Sequence, residues 1–259
     1  MDITSLQNPR IKHIIKLRDD KKIRKQDGLM LVEGFDEIQL ALSAGHIPQS
    51  LLSSPELVSR HLDVSAGESL TVSRAVFEKI SYRDNPDGWL GVFPIPKTSL
   101  DEVPLSDAPL VIVTESIEKP GNLGAILRTA DAASVDAVLV SDARVDPWNP
   151  NVVRASRGAV FSVPVVECDN ESALNWLRGG GMRVIAATPF ADEIYSSVDL
   201  CEPVAIAVGT EDEGLSDYWL KNADIKVKIP MMGKVNSLNV SVSTALIVYE
   251  TMRQRSWNK

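Results

Sequence analysis

The second half of the chain alternates short apolar runs with segments of helical character, and this alternation restricts the fold more than any other feature. Among these runs are residues 110–114, 204–208 and 225–229. The first two are apolar almost throughout rather than at every second position, which is typical of parallel strands that helices cover on both faces, whereas Lys226 and Lys228 interrupt the third. The sequence therefore predicts an α/β fold with a parallel sheet.

A stretch rich in proline and acidic residues divides the chain. Proline lacks a backbone donor, so such a stretch does not form a helix or a central strand. We therefore predict a linker at residues 98–107, between a first domain at 1–97 and a second at 108–259. The first domain also alternates strands with helices, on a smaller scale.

The apolar pattern gives approximate bounds for each element. In the first domain it predicts strands at 29–32, 49–53, 69–73 and 88–93, and helices at 35–44, 55–61 and 74–81. In the second it predicts further strands at 137–140, 163–166 and 183–187, and helices at 122–134, 150–159, 172–178, 214–222 and 238–255. The last helix is apolar on two faces, which favours a subunit interface in addition to core packing.

Three polar loops follow strands of the second domain, at residues 120–130, 209–216 and 229–241. In an open α/β sheet, loops at the carboxyl ends of neighbouring strands form the ligand site. The loops carry five polar residues that such a site could use: Asn122, Arg128, Glu211, Ser237 and Asn239. Helix capping or surface exposure explains each one singly, but their recurrence at strand ends favours a small-molecule site with a charged substrate nearby.

Several kinds of chemistry are excluded by what the second domain lacks. The three histidines, His13, His46 and His61, all lie in the first domain, so the second has no imidazole for a general base or a metal ligand. The sequence contains no HExxH, CxxC, GxSxG or GxxxxGK[ST] motif. Glycines 179–181 follow a helix, whereas a dinucleotide fingerprint follows a strand. We expect no metal, no P-loop phosphoryl transfer and no hydride transfer.

The composition is that of a soluble protein, with 44% apolar and 24% charged residues. No apolar run reaches the roughly 18–20 residues that a membrane span needs, and no signal peptide is visible. Cys168 and Cys201 lie far apart and lack metal or redox spacing, which favours a reducing compartment. We expect a cytoplasmic protein without a membrane partner.

The charge distribution indicates where a nucleic acid would bind. The net charge of −8 argues weakly against such a partner, but residues 10–25 carry eight basic side chains against two aspartates. This segment has the pattern of an amphipathic helix, and either a solvated helix face or contact with a phosphate backbone explains its charge. The candidate RNA contacts are Arg10, Lys12, Lys16, Lys22 and Arg24.

The three loops together resemble the motifs of a known enzyme family. They read N-x-G-x-x-x-R at 122–128, G-x-E-x-x-G-L at 209–215 and I-P-M-x-G-x-x-x-S-L-N-V at 229–240. These match in order the motifs of the SpoU (TrmH-like) RNA 2′-O-ribose methyltransferases of the SPOUT superfamily. Residues 4–93 look like the L30e-like substrate-binding domain that is often attached to this family. Arg157 is a departure, since many relatives carry a small or apolar residue there.

The resemblance implies an α/β fold whose C-terminal parallel-sheet SPOUT domain contains a deep trefoil knot, with a smaller N-terminal L30e-like α/β domain. It implies a homodimer that packs through the final helix, and S-adenosylmethionine bent within the knot. By motif position, the cofactor would contact backbone groups at Gly209, Ile229 and Leu238, with the Thr188 loop beneath. The missing side chains of glycine let a ligand approach the backbone closely.

The resemblance also implies roles for the polar residues. Arg128 would act on the ribose 2′-hydroxyl, either as its base or as an anchor that polarises it, and Glu211 would orient Arg128. Asn122, Ser237 and Asn239 would position the ribose and the neighbouring loops. The expected function is methyl transfer to a ribose 2′-hydroxyl of structured RNA, and the L30e-like domain favours ribosomal RNA. The alternatives are a tRNA 2′-O-methyltransferase, a non-catalytic RNA-binding or ribosome-assembly protein, and methylation of a non-ribose acceptor.

Overall fold

The computed structural model describes residues 2–64, 67–210 and 212–257. The chain forms two compact units. The first contains the residues up to Lys97 together with Asp146–Ser162, and the second contains Thr98–Val145 and the residues from Val163 onward. Among the helices in these described ranges, none combines the length and apolarity that a membrane span requires.

The elements are numbered along the chain. The strands are β1 (Asp2–Ile3), β2 (Leu29–Glu33), β3 (Ser50–Ser53), β4 (Glu68–Val72), β5 (Trp89–Pro94), β6 (Leu110–Glu115), β7 (Ala137–Ser141), β8 (Val165–Cys168), β9 (Arg183–Ala187), β10 (Glu193–Ile194), β11 (Val204–Val208) and β12 (Ile225–Lys228). The α-helices are α1 (Pro9–Asp19), α2 (Lys21–Asp27), α3 (Phe35–Ser43), α4 (Arg74–Ile80), α5 (Pro120–Ala132), α6 (Pro150–Ser156), α7 (Asn170–Gly179), α8 (Asp217–Asn222) and α9 (Val240–Trp257).

The second unit is built on a sheet of seven strands among the described residues, in the order β10-β12-β9-β11-β6-β7-β8. Every pairing is parallel, and Ile206 of β11 lies opposite both Ile112 of β6 and Ile185 of β9. All three isoleucines are fully buried, as expected for strands covered on both faces. The prediction of a parallel sheet is therefore confirmed. Strand β10 is too short to give a sequence signal.

The first unit has a mixed sheet in the order β1-β4-β3-β5-β2. Strand β5 runs antiparallel to both β2 and β3, whereas β4 is parallel to its neighbours β1 and β3. A buried apolar cluster on this sheet includes Ile11 and Leu17 of α1, Phe77 of α4 and Leu90 of β5. The apolar face of the basic N-terminal segment is therefore core, and most of its charged residues lie on the outside, with Arg24 as an exception.

The basic segment folds as two helices because Asp20 interrupts it. Asp20 has extended backbone angles (φ −119°, ψ 113°), and its carboxylate accepts a hydrogen bond from the backbone N–H of Lys22 at 2.7 Å. It therefore ends α1 and caps α2. Helix α2 then ends at Gly28, whose left-handed conformation suits glycine.

The helix predicted at residues 55–61 is wrong. The segment makes a single turn in which the N–H groups of Leu57 and Val58 donate to the Ser54 carbonyl, and then continues as irregular backbone. Gly88 packs closely against it, because a Cβ at that glycine would lie 2.8 Å from the Val58 nitrogen. Tertiary contact with the start of β5 thus replaces a regular helix.

The segment Asp146–Ser162 belongs to the first unit, and the helix predicted at 150–159 is split there into α6 and a short 3₁₀ turn, Ala159–Phe161. Phe161 packs on His46 and Phe93, with ring centroids 5.0 and 5.8 Å apart. The linker at 98–107 contains a 3₁₀ turn at Leu100–Glu102, and it stays a prediction as a domain boundary.

A buried ion pair joins α2 to this segment. The Arg24 guanidinium donates to the Asp146 carboxylate at 2.8 Å and to the carbonyls of Leu17 and Arg18 at 2.6 and 3.0 Å. Arg24 is only 2% exposed. The candidate RNA contact at Arg24 is therefore corrected, since its guanidinium is occupied inside the protein. Arg10, Lys12, Lys16 and Lys22 are exposed.

We expect the substitution Asp146→Ala to lower the free energy of unfolding by about 3–5 kcal/mol, because it leaves a buried guanidinium without its counter-charge. Urea denaturation measures this loss. The control is Arg74→Ala, which breaks an exposed pair with Glu78 and should change stability little. Equal losses of unfolding free energy in the two variants would show that the buried pair stabilises the protein no more than an exposed pair does.

Candidate functional site

A cavity of about 530 Å³ opens at the carboxyl ends of β9, β11 and β12. Its wall includes all four candidate cofactor contacts and one of the candidate catalytic residues, namely Thr188, Gly209, Ile229, Leu238 and Ser237. The three strands are neighbours and parallel, so their loops meet at one edge of the sheet. The structure thus brings together residues that are up to 50 positions apart in the sequence.

Two glycines close the loop that follows β11. Thr210 and Gly214 exchange backbone hydrogen bonds of 3.0 and 3.1 Å. A Cβ at Gly209 would lie 2.0 Å from the Gly214 oxygen, so a larger residue cannot be fitted there without opening the loop. Gly214 has φ +72°, which glycine adopts without strain. The glycines of the second motif are therefore required by the backbone itself.

Apolar side chains complete the cavity, and the sequence analysis did not identify all of them. Phe190, in the loop after β9, is 92% exposed and contributes to the cavity wall, and Ile247 of α9 adds buried apolar surface. Leu215 and Met231, which are positions of the second and third motifs, also line the cavity. A cavity with apolar walls and exposed backbone groups suits a ligand that carries both a flat apolar part and polar substituents.

Asn122 and Asn239 are brought together from α5 and the start of α9. The Asn239 side chain donates to Oδ1 of Asn122 at 3.1 Å, and its own Oδ1 accepts from the N–H and hydroxyl of Ser241. Asn239 therefore caps α9 and links it to α5. The capping interpretation of Asn122 is wrong, because α5 begins at Pro120 and the N-cap position is Lys119, which makes no side-chain capping hydrogen bond.

Arg128 lies on the exposed surface of α5, six residues after Asn122 and therefore about 9 Å further along the helix axis. Within the part of the chain that the structure describes, its side chain makes no hydrogen bond or ion pair and is not part of the cavity wall. Glu211, the predicted partner of Arg128, lies outside the described residues. The relation between these two residues stays a prediction.

A buried carboxylate supports the loop after β11, and sequence reasoning missed it. Glu115, the last residue of β6, is 4% exposed and accepts hydrogen bonds from the N–H and hydroxyl of Ser216 at 2.7 and 2.6 Å. Asn170 donates to the same carboxylate at 2.9 Å and accepts from the Trp219 indole at 2.6 Å. An acidic residue that directly follows an apolar strand is the signal that could have identified it.

Burial shifts the pKa of two further side chains, neither of which lines the cavity. Burial raises the pKa of the Cys168 thiol to about 12, so the thiol is protonated at neutral pH. Burial also lowers the pKa of His46 in the first unit, which favours its neutral form. No group of His, Cys, Asp and Glu side chains among the described residues has a metal-binding arrangement.

We expect Glu115→Gln to increase the exchange rate of the Ser216 amide by roughly 10- to 100-fold. A glutamine cannot accept from all three donors, and a hydrogen bond to a charged group contributes about 1.5–3 kcal/mol. Hydrogen exchange followed by mass spectrometry measures this rate. Glu118→Gln, which changes an exposed carboxylate of the same unit, is the control. An unchanged Ser216 amide would rule out the carboxylate as the support of the loop.

A parallel α/β sheet with a cavity at the carboxyl ends of its strands is the arrangement of an enzyme that binds a small molecule there. The chain belongs to the SpoU rRNA methylase family, whose model matches residues 109–249. Residues 8–91 match the MRM3-like substrate binding domain.

Individual relatives are similar over nearly the whole chain. The 23S rRNA (guanosine-2′-O)-methyltransferase RlmP of Bacillus subtilis is 29% identical over 95% of this chain and 97% of its own. A solved RNA 2′-O ribose methyltransferase has a TM-score of 0.86 and 42% identity, covering 99% of this chain and all of its own. The AdoMet-bound rRNA methyltransferase of Sinorhizobium meliloti has a TM-score of 0.88 and 30% identity, covering 98% and 97%.

Proposed function

We propose that this protein transfers a methyl group from S-adenosylmethionine to a ribose 2′-hydroxyl of ribosomal RNA. The observation that carries the proposal is the cavity at the ends of β9, β11 and β12, which contains the cofactor positions of the family motifs. RlmP of Bacillus subtilis is named for this reaction on 23S rRNA. The match of residues 8–91 to a substrate-binding domain supports an RNA larger than the reacting nucleotide.

The cavity fits S-adenosylmethionine in size and chemistry. Its volume of about 530 Å³ lies within the range of small-molecule sites, about 300–1,000 Å³. Apolar walls at Leu215 and Ile247 suit the adenine, and the backbone near Gly209 is open to polar groups of the ligand. The carboxylate of Glu213 at the cavity offers a counter-charge to the cationic groups of the methyl donor. When bound, S-adenosylmethionine supplies an activated methyl group on a positively charged sulfur.

The residues of this chain would bind and orient the acceptor ribose. A guanidinium offers several N–H donors and no acceptor, so we assign Arg128 the role of an anchor that binds the phosphate and polarises the 2′-hydroxyl. Its exposed position on α5 leaves it accessible to RNA. The Asn122–Asn239 bond fixes α5 against α9, and Ser237 faces the cavity from the third loop. Glu211 would orient Arg128. Positioning of this kind supplies much of the rate enhancement for a displacement at carbon.

Ribosomal RNA is favoured over transfer RNA because the chain resembles rRNA methyltransferases over both domains, including the substrate-binding one. A non-catalytic RNA-binding protein is less consistent with the sequence, which retains the polar residues of all three motifs. Transfer of labelled methyl groups to ribosomal and transfer RNA, with calorimetric titration of S-adenosylmethionine, separates these functions. Binding without transfer to either RNA would favour the non-catalytic function.

We also propose that the second unit contains the trefoil knot of its superfamily and forms a homodimer in the cytoplasm. The order of the strands supports the knot, since β12 pairs with β9 rather than with the preceding β11. The two faces of α9 support the dimer. Ile247 and Val248 are buried, whereas Val242, Leu246 and Tyr249 are 47%, 38% and 52% exposed. These three exposed side chains line an apolar groove together with Ala125 and Thr129 of α5.

We expect Arg128→Ala to leave the affinity for S-adenosylmethionine unchanged and to reduce methyl transfer by about 100-fold or more, because the anchor for the ribose and phosphate is removed. Calorimetry and a labelled-methyl assay measure the two quantities. Arg144→Ala removes another exposed arginine of the same unit and should retain activity. Wild-type activity in the Arg128 variant would disprove the role given to this residue.

We expect Leu246→Asp combined with Tyr249→Asp to convert the protein from a dimer to a monomer, because charged groups would be placed in an apolar interface. Sedimentation equilibrium at micromolar concentration measures the mass. Leu105→Asp alters an exposed leucine elsewhere in the second unit and should leave the dimer intact. A wild-type protein that sediments as a monomer would contradict the dimer itself.

A further inference from the structure

An exposed aromatic side chain lies among arginines on the first unit. Tyr82 is 43% exposed, and the Arg154 guanidinium carbon lies 5.5 Å from the centre of its ring. Arg18 approaches the same turn from α1, donating to the carbonyls of Lys79 and Ser81 at 2.7 and 3.3 Å. A large exposed aromatic beside positive charge is an arrangement that favours ligands with both a π-face and an anionic group.

The turn that carries Tyr82 is held rigidly by buried carboxylates. Glu33, at the end of β2, accepts hydrogen bonds from the Ser81 hydroxyl and from the Tyr82 N–H at 2.7 Å. The Arg83 guanidinium donates to the Glu33 carbonyl at 3.0 Å and pairs with Glu37 at 2.6 Å. Both carboxylates are less than 10% exposed. The ring of Tyr82 is therefore presented on a fixed backbone, which lowers the entropic cost of binding a ligand.

Gly34 makes this support possible. A Cβ at that position would lie 2.3 Å from Oε2 of Glu37 and 2.6 Å from Nη2 of Arg83, so a side chain there would displace the ion pair. Gly34 also has φ +110°, which few residues other than glycine adopt. The Val-Glu-Gly segment at residues 32–34 thus has two roles. It forms the end of β2, and it supports the turn that carries Tyr82.

The nearby arginines differ in whether their charge is already neutralised. Arg18 pairs with Asp19, and Arg83 pairs with Glu37. Arg154 is exposed and contacts only the Asn151 side-chain oxygen and the Tyr82 ring among its described polar and aromatic neighbours. Arg157 follows at the end of α6, where its backbone N–H donates to the Arg154 carbonyl at 3.0 Å, and its side chain is also exposed and has no carboxylate partner in the described ranges. Two arginines therefore retain positive charge for an anionic ligand.

Arg157 occupies a conformation that costs stability. Its φ of +53° lies in the left-handed region, where an arginine is strained and glycine is not. The following residue is already a glycine, Gly158, with φ +85°. Nothing in the packing of the described residues requires an arginine at this helix end, which is consistent with a role for its charge outside the fold.

We propose that Tyr82, Arg154 and Arg157 form a contact site for unpaired RNA, in which a base stacks on Tyr82 and the two arginines bind flanking phosphates. The inference rests on the proposed function, since it assigns part of the RNA substrate to this surface. Aromatic rings stack on bases that are free of a duplex, and arginines bind backbone phosphates without base specificity. The site combines a tyrosine from the substrate-binding match with arginines from the SpoU match.

Two substitutions of Tyr82 test the stacking. Tyr82→Ala should weaken binding of the full-length protein to unmodified 23S rRNA transcribed in vitro by roughly 5- to 150-fold. It should raise KM for the RNA and leave kcat and the Kd for S-adenosylmethionine unchanged. Tyr82→Phe keeps the ring and should bind as wild type. If Tyr82→Ala binds RNA normally, or if Tyr82→Phe is as weak as Tyr82→Ala, stacking on this ring is disproved.

Substitutions of the arginines test the phosphate contacts. Arg154→Gln and Arg157→Gly should each reduce the slope of log K against log salt by about 0.7–0.9. Arg157→Gly should also leave Tm equal to or above that of wild type, because the strained residue is removed. The matched control is Arg74→Gln, since Arg74 is an exposed arginine of the same unit that is already paired with Glu78. Arginine variants with the salt slope of the control would overturn the phosphate contacts.

The outcome separates this site from the proposed function. A wild-type protein that methylates neither ribosomal nor transfer RNA contradicts the proposed function, whatever the variants do. If the wild-type protein methylates ribosomal RNA and the Tyr82 and arginine variants have the wild-type KM for that RNA, the contact site alone is contradicted. Circular dichroism of each variant confirms that the fold is retained, and Arg154→Lys, which keeps the positive charge, should retain most of the RNA affinity that Arg154→Gln loses.

Discussion

The common direction of the seven strands in the second unit is the constraint on which the rest of the site depends. Because every pairing is parallel, the loops after β9, β11 and β12 leave the sheet at one edge. These loops meet around the cavity, and within the loop after β11 the close approach of Gly209 to Gly214 leaves no room for a side chain. The cavity lies between these loops at the carboxyl ends of β9, β11 and β12.

A second set of interactions supports this edge from behind. Glu115 is the last residue of β6, and its carboxylate accepts hydrogen bonds from the N–H and the hydroxyl of Ser216. The start of α8 is therefore anchored to the carboxyl end of β6. Buried carboxylates also hold the turn at Tyr82 in the first unit. In both units, the acidic residue at the end of a strand satisfies backbone donors of a loop. A satisfied buried carboxylate of this kind gives a surface loop the rigidity that recognition of a ligand requires.

A single amide side chain can make two structural contacts at once. Asn239 caps α9 and at the same time bonds to Asn122 on α5, since an amide has both acceptor and donor atoms. Arg24 shows that a charge pattern does not reveal the burial of each residue. The basic pattern of its helix predicted a surface cation, but its guanidinium donates to Asp146 and to two backbone carbonyls inside the protein. Charge in a sequence identifies a basic segment, but burial decides which of its members face solvent.

The sequence by itself determined the parallel α/β character of the second unit, most strand positions and the loops that line the cavity, because apolar periodicity and glycine placement are local properties. The family motifs in those loops identified the family. Only the tertiary structure decided the irregular path at 55–61, the burial of Arg24, the support from Glu115 and the placement of Asp146–Ser162 in the first unit. Each of these depends on a partner distant in sequence, and a local pattern does not identify that partner even where it marks the residue, as at Glu115.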